Sequence, residues 1–219
     1  MPNDRLTKIQ ALLKKQASKF PDNPTALAHP VVQTHSAQMR GKSVFWKPAR
    51  LIQRISRSAH IRAWLSTPDS LTAHLRQTCP HLSVRVLSEI LERPLADESI
   101  ALGLPNNDQA WVRTVLLQCG LQNWVYARTV IPNLTSENPW ASLQQLGTKP
   151  LGEVLFELPS IQRSPFEFSR QALNHWPGLT EQLTAEEVDS PGYARRSIFT
   201  QKNAPLLLTE VFLPGLIKR

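Results

Sequence analysis

Cysteine is scarce in this 219-residue chain: Cys79 and Cys119 are the only two. They lie far apart and form no Cys-x-x-Cys pair, so the expectation is two free thiols in a reducing, cytoplasmic setting. Long apolar runs are also lacking. None approaches the ~20 residues that span a bilayer. The N-terminus carries Asp4, Arg5 and Lys8 without the continuous apolar stretch of a secretory signal. Walker A, GxGxxG and GxSxG patterns are absent, which removes the usual nucleotide-binding and serine-hydrolase readings. His74, Cys79 and His81 match no common zinc spacing, so no metal is expected. No internal repeat is visible.

Acidic residues are nearly missing from one end. Residues 1–62 hold twelve Lys or Arg against Asp4 and Asp22, although the whole chain has a net charge of only +8. The basic character therefore belongs to the N-terminal quarter and the remainder is slightly acidic. Leu6, Ile9, Leu12 and Leu13 recur at helical spacing among lysines until Pro21 and Pro24 intervene, and a polar stretch from Asp22 to Lys42 reads as a linker. Residues 1–44 are taken as a basic extension and 45–219 as the domain. Such an arm is ordinarily solvated, with weak contact to an anionic membrane surface as the further expectation. Nucleic acid is not expected as a partner, because the arm lacks interleaved aromatic residues.

The body alternates helical and extended patterns. Leu51, Ile52, Ile55, Ile61, Trp64 and Leu65 suggest helical packing with a break near Ser58, and PDSLTAHLRQ reads as a helix start capped by Asp69 or Ser70. Backbone N–H groups at such a start are free to bind an anion. Leu82, Val84 and Val86 alternate as in a strand. Ala110–Leu117 and Trp124–Ile131 read as a hairpin around Gly120, with Trp111, Arg113, Val115 and Leu117 on one face. Asn138–Leu146 has a helical pattern, and Pro150, Leu151 and Gly152 make a tight turn. Tyr193–Gln201 and Leu206–Leu213 form a second hairpin across KNAP. The expected class is α+β: an antiparallel sheet with flanking helices enclosing a ligand pocket.

Two charges stand in apolar strands. Glu210 is the only ionisable residue in PLLLTEVFLP, and Arg113 interrupts WVRTVLL. A buried carboxylate must be paired, protonated or kept for chemistry. A buried guanidinium needs an anion, with Glu210 and an acidic ligand the two candidates. The adjacent Arg195 and Arg196 are expected to be solvated, with anion binding as the lesser alternative.

These segments together resemble the chorismate lyase family. The resemblance runs in order through WLSTPDSLTAHL, WVRTVLL, WVYARTVIP, LGTKPLGEVLF, ARRSIF and PLLLTEVFLP, covering roughly residues 46–214. It implies a monomeric, cofactor-independent lyase that converts chorismate to 4-hydroxybenzoate and pyruvate, an early step of ubiquinone biosynthesis. It further implies that Arg113 holds the ring carboxylate together with the backbone N–H groups of Leu71 and Leu151. Glu210 would face the hydroxyl and the departing enolpyruvyl ether, either transferring a proton or only positioning the hydroxyl. Arg128 is a weaker candidate near the ligand path. Tyr193 departs from the family, where Trp often precedes the arginine pair. The alternative function is a non-catalytic aromatic-acid sensor domain of the same fold, for which Glu210 would have no necessary role.

Overall fold

The computed structural model describes residues 44–105, 107–155 and 160–218. Strand segments joined by short turns pair with their sequence neighbours, and one antiparallel sheet results. Its strands are β1 (Lys47–Pro48), β2 (Ser83–Glu92), β3 (Ala110–Cys119), β4 (Gln122–Pro132), β5 (Gln162–Arg163), β6 (Glu167–Ala172), β7 (Pro191–Gln201) and β8 (Ala204–Phe212). Their order is β1-β6-β7-β8-β4-β3-β2, and β5 adds to β7 off this path. Both expected hairpins are present. Lys202 and Asn203 turn the second with φ of 47° and 65°, the left-handed pair that a two-residue hairpin turn requires.

Both faces of the sheet are covered, which is why β3 and β4 are buried almost residue after residue. On one face, Trp111, Val115, Leu117 and Leu208 pack with Leu65, Leu71, Leu75 and Leu155 from helices Ala59–Leu65, Leu71–Thr78 and Leu151–Leu155. On the other, Leu116, Tyr126, Ala194 and Val211 pack against Leu173, Trp176 and Leu179. Val112, Val130 and Leu207 meet Ala101 and Leu102 of helix Ala96–Leu102. Burying a leucine of this kind contributes about 1.5–3 kcal/mol.

Helix boundaries follow their caps. The break near Ser58 is real, because Ser58 accepts from the backbone N–H of Ile61 and starts helix Ala59–Leu65. Of the two candidate caps before Leu71, Ser70 is the one used, accepting from Ala73. Two expectations shift. The Asn138–Leu146 pattern forms only a 3₁₀ turn at Ala141–Gln145. The Pro150–Gly152 turn is the opening of helix Leu151–Leu155. The sequence reading did not foresee β6 or helix Ala96–Leu102. That helix ends at Gly103 with φ 65°, and its Glu98 accepts from the N–H of Leu95. The basic amphipathic segment, the linker and the boundary placed at residue 44/45 concern residues outside the described ones, apart from Val44 itself.

The expectation of free thiols is corrected: Cys79 and Cys119 form a disulfide, with Cα atoms 6.1 Å apart. Forty residues of separation conceal that the sheet lays the end of helix Leu71–Thr78 over the end of β3. The bridge removes the thiols on which the inference of a reducing compartment rested. Among the described residues no helix is long and apolar enough to cross a membrane.

Candidate active site

Cross-strand register sets three charged side chains, Arg113, Glu210 and Arg195, on one face of the sheet. Arg113 on β3 stands opposite Thr129 on β4, which stands opposite Leu208 on β8. One step along the strands, Ala127 stands opposite Glu210, and Glu210 opposite Arg195 on β7. β3 and β8 are therefore two strand spacings apart, about 9–10 Å. Arg113 reaches inward from one end of this span and Glu210 from the other.

A small cavity lies between them, about 30 Å³ in volume. Val115, Leu117, Ala127, Thr129 and Leu208 form its floor, while Thr72, Lys149, Pro150, Leu151 and Gly152 close it from above. A second recess, about 20 Å³, continues past Glu210 and shares Gly152, Leu208 and Glu210 with the first. Each has room for about one water.

Two helix openings meet over the cavity. Leu71 is the first residue after the Ser70 cap, and Leu151 begins the second helix. The first backbone N–H groups of a helix have no intrahelical partner. Their approach is close: a Cβ on Gly152 would lie 3.1 Å from Ser70 Oγ and 3.2 Å from Thr72 Oγ1. Glycine at position 152 is what lets the two starts converge.

Arg113 is 2% exposed. Its Nη1 donates to Glu89 Oε1, and its Nη2 donates to the Gly147 carbonyl at 2.6 Å. Burial pushes its guanidinium below the ordinary arginine value, yet an arginine stays charged. The protein partner foreseen for Arg113 was Glu210; the structure supplies Glu89 instead. A β-bulge at Leu87 is responsible. Pairing passes from Val86 opposite Val115 to Ser88 opposite Thr114, so Glu89 rather than Ser88 faces Arg113.

Glu210 is paired with Arg195, Nε to Oε2 at 2.6 Å. Arg195 also donates from Nη1 to the Thr67 carbonyl at 2.7 Å and the Leu65 carbonyl at 3.4 Å. It thereby ties Glu210 to the turn preceding helix Leu71–Thr78. The expectation of a solvated Arg195–Arg196 pair is corrected, since both are buried. On a strand adjacent side chains point to opposite faces. Arg195 enters the site, whereas Arg196 bonds to Asp97 at 3.0 Å and Glu167 at 2.8 Å on the other face. Asp97 also accepts from Trp46 Nε1 at 2.7 Å. Burial, more than any other influence, pushes the Asp97 carboxyl above its ordinary value.

Of the residues singled out from sequence, Leu71, Arg113, Leu151 and Glu210 all line the two recesses. Arg128 does not. It neighbours Thr129 and so faces the opposite side of the sheet, with Nε and Nη2 on the two oxygens of Glu98 at 2.7 and 3.1 Å and Nη1 on Glu92 at 2.8 Å. Burial is the largest single influence and lowers its pKa, but Glu98, Tyr126 and Glu92 together outweigh it and hold the pKa above the ordinary arginine value. Glu89, Lys149 and Arg163 were not singled out from sequence, and Arg195 was noted only as one of a basic pair. Strand parity shows that Arg195 and Arg196 must face opposite sides of β7, and the register with Glu210 assigns Arg195 to the site.

Several known proteins are similar to this chain. The family model described as Chorismate lyase matches residues 41–219. A probable chorismate pyruvate-lyase from Hydrogenovibrio crunogenus is 44% identical over 168 residues, covering 77% of this chain and 89% of that protein. One from Aromatoleum aromaticum is 37% identical over 164 residues, covering 73% and 88%. Among solved structures, the C-terminal domain of PhnF shares 16% identity at a TM-score of 0.47, covering 65% of this chain and 88% of that one. On the extent of the family match and the identity to these relatives, the chain belongs to the chorismate lyase family.

Proposed function

We propose that this protein cleaves chorismate into 4-hydroxybenzoate and pyruvate. The observation that carries the reading is the span across one sheet face. A buried arginine stands at one end, a carboxylate two strands away at the other, and two helix openings lie between them above an apolar floor. A six-membered ring with a carboxylate at one end and a hydroxyl at the other fits that span once the arginine side chain is allowed for. The ring carboxylate meets Arg113 and the N–H groups of Leu71 and Leu151, where charge-assisted hydrogen bonds are strongest. The hydroxyl meets Glu210.

The reaction breaks the C3–O ether bond and passes the C4 hydrogen to the methylene carbon of the departing enolpyruvyl group, so that the ring becomes aromatic and the fragment leaves as pyruvate. Aromatisation supplies the driving force, so the protein has chiefly to orient the ring and handle a proton. Oε2 of Glu210 already accepts from Arg195 and so offers no proton. Oε1 accepts no hydrogen bond from the described residues. We therefore assign Glu210 the part of acceptor: it holds the C4 hydroxyl and with it the adjacent C–H and C–O bonds in alignment. Neither role calls on a metal or organic cofactor. The 4-hydroxybenzoate so formed suits the opening of a quinone pathway. We take the working unit to be a monomer, as the family resemblance implies.

The test is to follow pyruvate and 4-hydroxybenzoate from chorismate with the full chain, in the presence and absence of EDTA. Equal, EDTA-insensitive formation of both is expected. Glu210→Gln should lower kcat by about 10–100-fold, the loss expected when a positioning contact is weakened. Arg113→Lys keeps a charge against Glu89 but loses the planar fork, and should weaken chorismate and 4-hydroxybenzoate alike by at least about tenfold. Binding of 4-hydroxybenzoate with chorismate left intact would refute the lyase reading and leave a sensor.

A further inference from the structure

The recess beyond Glu210 is lined by two guanidinium groups and two carboxylates, of which Arg195 and Glu210 are the pair at contact distance among the described residues. Arg163 and Arg195 both stack on the ring of Phe166, their guanidinium carbons 4.3 and 4.6 Å from its centroid. Both line the recess with Glu210. Arg195 spends Nε on Glu210 and Nη1 on two backbone carbonyls, and its Nη2 makes no hydrogen bond to any described residue. Arg163, half-buried on β5, has neither a hydrogen bond nor an ion pair at contact distance among the described residues. One carboxylate, Glu210, thus contacts one of two guanidinium groups converging on a single ring. Asp69 lines the same recess but is exposed.

Chorismate carries two carboxylates. The reading above gives the ring carboxylate to Arg113 and leaves the enolpyruvyl carboxylate without a partner. That group departs from the carbon next to the hydroxyl, so it must lie beyond Glu210, where a second anion beside the Glu210 carboxylate would be repelled unless a cation faced it. The only recess continuing in that direction among the described residues is the one that Arg163 and Arg195 line.

We propose that Arg163, together with the unused edge of Arg195, binds the enolpyruvyl carboxylate, and that this recess is the pyruvyl subsite. The inference rests on the lyase reading and deepens it. Arg163 is a specificity residue for the dianionic substrate. Once the ether is broken its ligand is free pyruvate, and 4-hydroxybenzoate remains held only from the Arg113 side. Arg163 also has the geometry to favour cleavage over simple retention of the ring, because it engages the leaving group and nothing that stays.

Arg163→Gln and Arg163→Lys separate these consequences. For Arg163→Gln, kcat/KM for chorismate is expected to fall about 10–100-fold, the range for losing a charged hydrogen-bond donor, with Lys intermediate. Inhibition by 4-hydroxybenzoate, which has no second carboxylate, is expected to stay within about twofold of wild type. A thermal melt of each variant shows whether it is folded. Equal shifts in chorismate kcat/KM and 4-hydroxybenzoate inhibition would overturn the proposal in favour of a packing role on Phe166. So would unchanged chorismate kinetics, with the carboxylate then bound elsewhere. Failure of the wild-type chain to turn over chorismate would instead remove the lyase reading, and the subsite with it.

Discussion

Reducing the Cys79–Cys119 bridge should lower stability strongly and catalysis very little. The bridge closes a loop of sequence separation 40. Loop-closure entropy for about 40 residues corresponds to about 4 kcal/mol, between the values for short and 100-residue loops. Loss of other interactions adds little, because Cys79 is 1% exposed within the apolar core and a buried thiol packs as a small hydrophobe. For a domain of this size about 4 kcal/mol lowers Tm by about 8–16 °C. The helix that Cys79 terminates is still anchored by Leu71 and Leu75, both essentially buried. Chorismate kinetics at 25 °C should accordingly change by less than about twofold. The assay is calorimetry of the same preparation with and without reductant, beside thiol titration of the native, unreduced chain, which should find no free thiol. The Cys79→Ala/Cys119→Ala variant should melt with the reduced protein. Two titratable thiols in the unreduced chain, or a Tm drop under about 3 °C, would refute the reasoning.

Two further predictions address the roof and the far face. Leu71→Pro removes one N–H at the first helical position, where proline is tolerated, after a residue already extended at ψ 113°. Relative to Leu71→Ala, which keeps the N–H, it should raise the chorismate KM and the 4-hydroxybenzoate inhibition constant together by about tenfold or more, and equal constants in the two variants would remove Leu71 from the site. Tyr126 donates to the Pro177 carbonyl at 2.8 Å, and burial pushes its phenol above the ordinary value of 10.0. The folded chain therefore keeps a proton that the unfolded chain releases, so stability falls as pH rises above about 10, by up to about 1.4 kcal/mol per pH unit. Tyr126→Phe should be less stable at neutral pH, because Pro177 loses its donor, yet should show a shallower alkaline decline in Tm; parallel declines would refute the assignment.

Helices and hairpins were legible wherever caps and turns announced them. Ser58, Ser70 and the Lys202–Asn203 turn each sit where short-range chemistry alone puts them. Short strands such as β1 and β5 were not, because two residues carry no periodicity and exist only through their partners β6 and β7. The disulfide was illegible for a related reason: nothing local to Cys79 or Cys119 encodes that the sheet brings them within 6.1 Å.

The site raises a sharper question, since this domain buries four strand arginines (Arg113, Arg128, Arg195 and Arg196) and their sequence contexts look alike. What separates them is parity. Arg113 and Arg195 lie on the face that the two helix openings cover. Arg128 and Arg196, each one residue out of phase with a site position, face the opposite layer, where Glu92, Glu98, Asp97 and Glu167 neutralise them. Parity within one strand can be read from the sequence, but parity between strands needs the register. Irregularities at Val86/Ser88 and Leu117/Gln118 shift that register, and the first of them is the reason Glu89 becomes the partner of Arg113. On the covering face, among the described residues, Arg163 and the Nη2 of Arg195 make no hydrogen bond. On the far face each arginine has two carboxylates. A ligand with two negative charges is electrostatically suited to the first face and excluded from the second, which is the physical sense in which one sheet can be both a binding surface and a structural core.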